Sequence, residues 1–506
     1  MAAGSTSDSW AAVRETHSGC VVLLGDRAFK LKKPVALGFL DFTDRTTRRR
    51  VCEHEVSLNR RLAPDVYLGV GNLVTPDGVA EPVVVMRRLP ESARLSRLVR
   101  EGADLTTDVR RIARVLAAFH SGAARSPEIA KNGSRQAILS RWDASFEQTR
   151  PHAGTMLPAA LLDEVETLVH RFLAGRDELF ADRIRRGAVV DGHGDLTADD
   201  IFCMADGPRL LDCLEFDDTL RHLDRLDDVA FLAMGLEALG APELGQVLLD
   251  DWAELVGDPA PPALVHHFVA YRAFVRAKVA CFTGAQLDRP ASDQVTTYAT
   301  MARDHLRSGA VTLVLVGGPP GVGKTTLAVH VAERLGMVAI SSDRLRKEAA
   351  GIDPQTPAAA AFASGIYSPV HTRATYAEML RRAGLLLHRG ESVVLDASWT
   401  DDAERRLAAT TAELAHADLV SFRCHLDRAV AAARIRGRAG AGASHRSDAD
   451  EATAEQLRRL DDPWPDSIAI DMRPSPAACA DEACARLRPT RAPATLLRRR
   501  PRLAPG

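Results

Sequence analysis

The sequence predicts two domains, an α+β two-lobed domain followed by an α/β domain built on a parallel sheet. Three observations lead to this prediction. Short strand-like runs before residue 105 give way to long helical patterns. From about residue 310, apolar strand-like runs alternate with helical stretches. The chain also has 506 residues, more than one hydrophobic core usually supports.

The composition is typical of a globular protein, with 46% hydrophobic and 26% charged residues. The 65 basic residues nearly balance the 67 acidic ones, so no general attraction to nucleic acid or to an anionic membrane is predicted. No apolar run approaches the roughly 18 residues that a membrane span needs. The amino-terminal residues lack a secretory pattern, and the eight cysteines are scattered. We expect a cytoplasmic protein, and the oligomeric state stays open.

The first lobe is predicted from its strand patterns. Residues 18–35 contain two apolar runs on either side of Gly25 and Asp26, which is a hairpin signal. In the second run, Lys30 and Lys32 share one face. The helical stretch RRRVCEHEVSLNRRLA follows, and then the strand-like runs DVYLGVGNLV and EPVVVMRRL. The sequence therefore predicts a small strand-rich lobe that contains one helix.

The remaining pattern is helical from about residue 105, interrupted by the loop VVDGHGDLTADDIFCM and a strand pair ending in RLLDCLEF. Near residue 310, VTLVLVG is a continuous apolar run typical of a buried parallel strand. MVAISSD, ESVVLDAS, DLVSFRCHL and DSIAIDM are predicted as further strands of the same sheet. We place the first domain at 1–305 and the second at 306–488. The tail at 489–506 is rich in proline and arginine, and we predict that it is a disordered basic segment.

A phosphate-binding motif stands between the first of these strands and a helix. Residues 318–325 read GPPGVGKT and match G-x-x-x-x-G-K-[ST] in full. The glycines let backbone N–H groups surround phosphates, while the following helix offers its positive end. Lys324 is predicted to neutralise the β and γ phosphates of ATP, and the Thr325 hydroxyl to hold Mg²⁺. The predicted nucleotide-contacting residues are Gly318, Gly321, Val322, Gly323, Lys324, Thr325 and Thr326.

Residues after this P-loop favour phosphoryl transfer. Asp343 and Arg346 share one helical face directed back toward the P-loop, where an acid can accept a proton and an arginine can grip phosphate. Asp396 ends the run VVLD and is predicted to orient Mg²⁺ or its water. Arg434 and Arg438 are spaced to share a helix face over the transferring group, although a solvated basic face fits them equally. The arrangement resembles small P-loop kinases of the polynucleotide kinase and zeta-toxin branch, in which the matching aspartate is the general base.

The segment HGDLTADDI followed by LLDCLEFDD resembles the phosphotransferase family that includes aminoglycoside and choline kinases, whose loop reads H-G-D-x-x-x-x-N. The resemblance implies that Asp195 orients the acceptor hydroxyl and that Asp200 and Asp212 hold Mg²⁺ against the phosphates of ATP. Asp200 replaces the usual asparagine. A carboxylate ligates Mg²⁺ at least as readily as an amide, so the exchange keeps the ligand chemistry and adds one negative charge. Thr197 replaces a histidine of the family, a departure that bears on substrate preference.

The amino-terminal lobe carries further parts of this resemblance. FKLK resembles the strand with the phosphate-contacting lysine, for which we choose Lys32 over Lys30, and Glu55 matches the helix glutamate that pairs with it. The phrases CEHEVSLNRRLAPDVYLGV and YRAFVRAKVACF are similar to a bifunctional branch in which such a kinase-like domain is fused to an AAA-type P-loop domain. The chain is identified as a member of that family. A further set is predicted to line an acceptor pocket, although support of the catalytic loop fits Asp224 and Asp228 equally: Glu215, Arg221, Asp224, Asp228, Arg272, Arg276 and Lys278.

These features favour an enzyme with two sites for ATP and Mg²⁺, each transferring a γ-phosphoryl group to a hydroxyl of an unidentified small molecule. Two alternatives stay open. The first domain is a regulatory pseudokinase beside an active P-loop domain, or the protein is a nucleotide-sensing scaffold without useful transfer. The balanced charge and the lack of interleaved basic and aromatic residues argue against a nucleic-acid acceptor.

Overall fold

The computed structural model describes residues 10–15, 19–35, 42–74, 78, 80–286, 293–353, 365–439 and 451–487. Their contacts divide the chain into two compact units. The first unit takes its residues from Met1–Arg141, Asp182–Pro259 and Tyr271–Arg276, and the second from Trp142–Ala181, Ala260–Ala270 and Ala277–Gly506. The tail predicted at 489–506 lies outside the described residues. The domain boundary predicted at residue 305 falls inside a helix and stays a prediction.

The first unit begins with an antiparallel sheet of five strands in the order β1-β2-β3-β5-β4. Gly25, at a φ of +56°, forms the predicted hairpin turn between β2 and β3. One helix packs its buried Cys52 and Val56 against this sheet. The elements are β1 (Ala11–Glu15), β2 (Gly19–Leu24), β3 (Arg27–Lys32), α1 (Arg45–Asn59), β4 (Tyr67–Val74) and β5 (Ala80–Arg87).

The next part of the chain is mainly helical, as predicted, and it includes two short antiparallel strand pairs. β6 pairs with β9 and β7 with β8, so the loop that carries the HGD motif is held between them. This arrangement confirms the predicted α+β character of this part of the chain. The elements are α2 (Leu95–Arg100), α3 (Thr106–Gly122), α4 (Pro127–Lys131), α5 (Arg135–Thr149), α6 (Ala159–Ala174), α7 (Asp177–Arg185), β6 (Val189–Asp191), β7 (Ile201–Met204), β8 (Gly207–Leu210), β9 (His222–Asp224), α8 (Arg225–Ala238), α9 (Pro242–Val256), α10 (Pro262–Gln286) and α11 (Asp293–Ser308).

The second unit contains the predicted parallel sheet, in the order β11-β12-β10-β13-β14. All five strands predicted from the sequence are present, which confirms the α/β class of this part. Val314, Val316 and Phe422 of the sheet are fully buried against Leu327 of the helix that follows the P-loop. The elements are β10 (Thr312–Gly317), α12 (Lys324–Leu335), β11 (Val338–Ser341), α13 (Ser342–Ala349), α14 (Pro369–His388), β12 (Val393–Asp396), α15 (Asp402–Leu414), β13 (Asp418–His425), α16 (Arg428–Ala439), α17 (Glu451–Arg459), β14 (Ile468–Asp471) and α18 (Pro476–Leu487). Among the helices within the described ranges, none has the length and apolar character that crossing a bilayer requires.

A buried ion-pair network in the first unit leads to a stability prediction. Arg183 donates to Asp224 at 2.7 and 2.6 Å and also pairs with Asp258, and all three side chains are almost completely buried. Arg183→Met would leave the two carboxylates without this shared cation. We expect it to lower the free energy of unfolding of this unit by about 3–5 kcal/mol, measured by urea denaturation. Arg185→Met, on the exposed side of the same helix, is the matched control. Equal losses in the two variants would contradict the prediction.

Candidate functional site

The loop after β10 has the backbone shape of a phosphate cradle. Gly318, Gly321 and Gly323 have φ angles of +133°, +88° and +108°, a region that favours glycine. A Cβ atom at Gly321 would lie 2.8 Å from the carbonyl oxygen of Ala431, so space also demands glycine there. The loop leads directly into α12, which places the positive end of a helix behind the cradle.

The sheet register brings a carboxylate to this loop. β12 is the parallel neighbour of β10, with Val316 opposite Asp396. The Thr325 hydroxyl donates to Asp396 Oδ2 at 2.7 Å. Burial raises the pKa of Asp396, while Lys324 and the hydrogen bond from Thr325 act in the opposite direction. A hydroxyl and a carboxylate side by side next to a phosphate cradle fit Mg²⁺, which prefers oxygen ligands.

The other residues of the P-loop take distinct positions. Lys324 Nζ donates to the Pro319 carbonyl oxygen at 3.1 Å, so the ammonium group lies against the loop. The Val322 side chain is fully buried in the hydrophobic core of the second unit. Thr326 is exposed on the first turn of α12. Of the predicted contacts, Lys324 and Thr325 therefore present their side chains most directly to the cradle.

One of the two candidate lid arginines reaches this loop. Arg434, on α16, donates to the carbonyl oxygen of Val322 at 3.3 Å and to that of Met472 at 3.2 Å. Its guanidinium group thus lies beside the glycine-rich turn. Arg438 belongs to the same helix, but its side chain lies outside the described residues.

The predicted Asp-x-x-Arg pair is formed at the start of α13. Arg346 Nη1 donates to Asp343 Oδ1 at 2.9 Å. Arg346 is largely buried, and its guanidinium group lies 4.6 Å from the ring centroid of Tyr367. Ser341, directly before α13, lies opposite Asp396 in the parallel sheet. The pair therefore lies at the same edge of the sheet as Asp396 and the P-loop.

Sequence reasoning missed a polar and aromatic group beside the loop. The Gly318 N–H donates to the Ser398 carbonyl oxygen at 3.1 Å. The Tyr376 hydroxyl lies 3.1 Å from Ser398 Oγ and accepts from the backbone N–H of Trp399 at 3.2 Å. No motif marks these residues, although their position just after β12 is a signal, because the strands of a parallel sheet end at one common edge.

In the first unit, both lysines of β3 meet one glutamate. Glu55 is completely buried on α1 and pairs with Lys30 at 2.8 Å and with Lys32 at 2.7 Å. Lys30 also pairs with Asp212, whereas Lys32 pairs with Glu215. Burial alone would lower the pKa of Lys30, but the surrounding carboxylates outweigh it and raise that pKa well above its usual value. Lys30 is therefore the lysine that contacts a predicted metal ligand.

The HGD loop is held by a buried aspartate. Asp228 accepts the backbone N–H groups of His193 at 2.6 Å and of Gly194 at 2.9 Å. Arg272 pairs with Asp227 and donates to the Gly194 carbonyl oxygen at 3.0 Å. Gly194 itself has a φ of +87°, which favours glycine. Asp228 thus braces the loop, one of the two roles that the sequence left open for it, and Arg272 supports the same loop.

Two other residues of the predicted acceptor-pocket set, Arg221 and Asp224, also make contacts that support the fold. Arg221 donates to the Leu214 carbonyl oxygen at 2.8 Å, and Asp224 belongs to the buried network described above. Arg276 acts together with Arg272, because the positive charges of both arginines oppose the rise in the pKa of Asp195.

Three carboxylates share one small region of this site, in which Asp195 is exposed and Asp200 and Asp212 are half-buried. Partial desolvation by the surrounding protein raises the pKa of Asp195 to about 6, and the charge of Asp212 adds to this effect. Burial and the charge of Asp212 likewise raise the pKa of Asp200 to about 7. Asp212 has a φ of +63°, and its backbone N–H donates to the Tyr67 hydroxyl at 3.1 Å. Three neighbouring carboxylates fit a divalent cation, so the residues present suit Mg²⁺.

The two departures from the family pattern contact each other. The Thr197 hydroxyl donates to Asp200 Oδ2 at 2.7 Å. The hydrogen bond favours the ionised carboxylate and opposes the effect of burial on the pKa of Asp200. The threonine therefore compensates part of the cost of placing a third carboxylate here.

Asp200→Asn tests what the additional charge does. We expect Mg²⁺ to bind more weakly and ATP at saturating Mg²⁺ to bind roughly tenfold more tightly, because one negative charge near the phosphates is removed. Calorimetric titrations with Mg²⁺ and with ATP, in a variant lacking Lys324, measure both effects. Asp199→Asn is the matched control, since Asp199 lies in the same loop and pairs with Ser96 instead. Unchanged affinities in Asp200→Asn would show that Asp200 does not face the nucleotide.

Comparison with known proteins finds a family model that matches one part of the chain and relatives that match most of it. The AAA domain family model matches residues 313–463. An uncharacterized protein of Mycobacterium tuberculosis strain H37Rv is 44% identical over 467 residues, which is 92% of this chain and 93% of that protein. An uncharacterized protein of Mycobacterium bovis matches with the same identity and coverage.

Two solved structures show more distant similarity, each to part of the chain. A choline/ethanolamine kinase family protein from Mesorhizobium loti is 16% identical, covers 60% of this chain and 89% of its own, and has a TM-score of 0.37. A gluconokinase from Sinorhizobium meliloti is 22% identical, covers 35% of this chain and 91% of its own, and has a TM-score of 0.26.

Proposed function

The chain belongs to the family of these mycobacterial relatives, and we propose that it is an ATP-dependent phosphotransferase with two nucleotide sites. Each site transfers a γ-phosphoryl group to a hydroxyl of a small molecule. The observation that carries the proposal is that each unit places a lysine beside oxygen ligands suited to Mg²⁺. Lys324 adjoins Thr325 and Asp396 in the second unit, and Lys30 adjoins Asp212 in the first.

In the second unit, the backbone of the loop and Lys324 bind the phosphates of ATP. Thr325 and Asp396 hold Mg²⁺, which neutralises charge on the transferring group. Asp343 accepts the proton of the acceptor hydroxyl, and Arg346 holds that carboxylate in place through the 2.9 Å hydrogen bond. Arg434 stabilises negative charge that develops beside the glycine-rich turn.

In the first unit, Lys30 and Lys32, both anchored by Glu55, contact the phosphates of ATP. The paired arrangement supports Lys30 as a phosphate contact beside the predicted Lys32, because only Lys30 pairs with Asp212. Asp200 and Asp212 hold Mg²⁺, and Asp195 orients the acceptor hydroxyl and receives its proton. The rigid support from Asp228 keeps this loop in position before substrates bind.

A second function for the first unit is favoured by one observation. Thr197 donates to Asp200 and Lys30 pairs with Asp212, so both predicted metal ligands are satisfied within the protein. A pseudokinase unit that binds a nucleotide or another ligand without transferring phosphate, and that regulates an active P-loop domain, also agrees with these contacts. The two functions differ in whether Asp195 is required for a product.

The acceptor is identified by incubating the protein with a metabolite extract, Mg²⁺ and ATP labelled in its γ-phosphoryl group. We expect label in at least one small-molecule product, and we expect chelation of Mg²⁺ to abolish it. Mass spectrometry of the labelled product names the acceptor. Release of labelled inorganic phosphate without any labelled organic product would overturn the proposal, because it would show hydrolysis instead of transfer.

A further inference from the structure

A pocket of about 440 Å³ lies within the second unit. Residues at or just before the start of four parallel strands line it, namely Val311 before β10, Met337 before β11, Ser392 before β12 and Asp418 at the start of β13. Residues of α6, α10, α11, α12 and α18 also contribute to the lining. The pocket therefore lies at the edge of the sheet where the strands begin.

This position separates the pocket from the nucleotide site of the same unit. The strands of a parallel sheet all begin at one edge and end at the other, and the P-loop follows the end of β10. β10 has 6 residues. At about 3.3 Å per residue, the two edges are about 20 Å apart along this strand. None of the P-loop residues lines the pocket.

The charged side chains of the pocket are mainly positive. Arg171, Arg176, Arg307 and Arg486 line it, and Asp418 is the single acidic residue among the described lining. Arg171 pairs with Asp418 at 2.6 Å, and Arg307 pairs with Glu164 outside the lining. In the part of the chain that the structure describes, neither Arg176 nor Arg486 forms an ion pair with a carboxylate. The pocket therefore carries uncompensated positive charge.

Arg176 is the most informative of these residues. It is only 1% exposed, and its Nη1 donates to the carbonyl oxygens of Gly175 at 3.0 Å and of Ala415 at 2.7 Å. Its Nε, by contrast, is buried without a hydrogen-bond partner among the described atoms. Burying an unsatisfied donor on a charged group is costly, so such groups usually meet a partner. An anion in the pocket would supply one.

Apolar side chains form much of the remaining wall. Leu168 and Phe172 of α6 contribute to it, together with Leu335, Met337 and Leu487. Phe172 also lies under the Arg176 guanidinium group, with 5.5 Å between the guanidinium carbon and the ring centroid. A ligand that satisfies both features has a charged end and an apolar body.

We propose that this pocket binds a small molecule in which a phosphate or carboxylate is attached to an apolar or aromatic body, with the anionic group held by Arg176. This site is separate from both proposed nucleotide sites and does not depend on their activity. Arg486, which is exposed at the end of α18, adds positive charge at the pocket without a role in the hydrophobic core.

The test is isothermal titration calorimetry of the full chain carrying Lys324→Ala, which disables the P-loop as an anion site. The probes are phenyl phosphate, phenylacetate, inorganic phosphate and neutral benzyl alcohol. We expect at least one of the two aromatic anions to bind at a single site more tightly than inorganic phosphate, and benzyl alcohol to bind least. If phenyl phosphate binds more tightly than phenylacetate, the natural ligand carries a phosphate group; the reverse order indicates a carboxylate.

Variants of the pocket locate the binding. In the same background, Arg176→Met is expected to weaken binding about tenfold or more, because a charge-assisted hydrogen bond is lost. Ala310→Trp, which fills the pocket from a half-buried position, is expected to abolish it. Arg486→Ala is expected to weaken it severalfold, whereas Arg459→Ala, an exposed arginine of α17 outside the pocket, leaves it unchanged.

Two results would overturn the proposal. One is that neither aromatic anion binds to the Lys324→Ala protein. The other is that the affinity stays the same in Arg486→Ala and Ala310→Trp as in Arg459→Ala. These two comparisons decide the question even if Arg176→Met does not fold, because Arg486 and Ala310 are not part of the buried core.

Discussion

Lys324→Ala is expected to weaken Mg²⁺-dependent ATP binding by the second unit and to slow phosphoryl transfer there by roughly a hundredfold or more. Lys324 is the cation of the P-loop, and its ammonium group donates to the Pro319 carbonyl oxygen at 3.1 Å. A bound nucleotide exchanges this contact for charge-assisted hydrogen bonds to phosphate oxygens. Turnover is measured in an Asp195→Asn background, so that the first unit does not contribute to the product.

The matched control for this loss of charge is Lys131→Ala, since Lys131 is exposed on α4 and belongs to neither site. Thr325→Ala adds an independent measurement, because it removes the hydrogen bond to Asp396 and should raise the Mg²⁺ concentration needed for half-maximal turnover. If Lys324→Ala bound ATP and turned it over as well as Lys131→Ala does, the second unit would not be a P-loop kinase.

Asp195→Asn should lower transfer by the first unit by about 10²–10⁴-fold, because an asparagine cannot accept the proton of the acceptor hydroxyl. ATP binding to this unit should be nearly unchanged, since Lys30, Asp200 and Asp212 remain in place. The measurement uses a Lys324→Ala background with the acceptor identified from the metabolite extract. Both kcat and the dissociation constant of ATP are measured, with and without the Asp195→Asn substitution.

Asp199→Asn is again the control, because it neutralises a neighbouring carboxylate that contacts Ser96. A loss of kcat in Asp195→Asn alone supports catalysis by the first unit. Equal product formation by both variants would leave the first unit as a pseudokinase, and the second unit would then account for all transfer.

The features that depend on short stretches of chain were accessible from the sequence. The P-loop and all five strands of the parallel sheet are marked by local composition, and the structure confirms the sheet. The contact between Asp343 and Arg346 also follows from helical spacing alone. Even the position of Asp396 beside Thr325 agrees with the rule that parallel strands end at a common edge.

Features that depend on distant contacts were not accessible. Strand alternation places Lys30 and Lys32 on one face, so it could not show that Lys30 is the one that pairs with Asp212. The support of the HGD loop by Asp228 joins residues more than thirty positions apart. The hydrogen bond between Thr197 and Asp200 explains two departures from the family pattern as one, and it became visible only in three dimensions.

The alternation of the chain between its two units limits how such a protein can be dissected. The polypeptide passes into the second unit at Trp142, returns at Asp182, and changes unit again near residues 260, 271 and 277. A truncated gene that stops near residue 142, 182 or 260 would remove residues of both units, whereas a stop just after Arg276 would leave every residue of the first unit. The second unit, by contrast, cannot be isolated by deleting residues 1–276, because Trp142–Ala181 and Ala260–Ala270 belong to it.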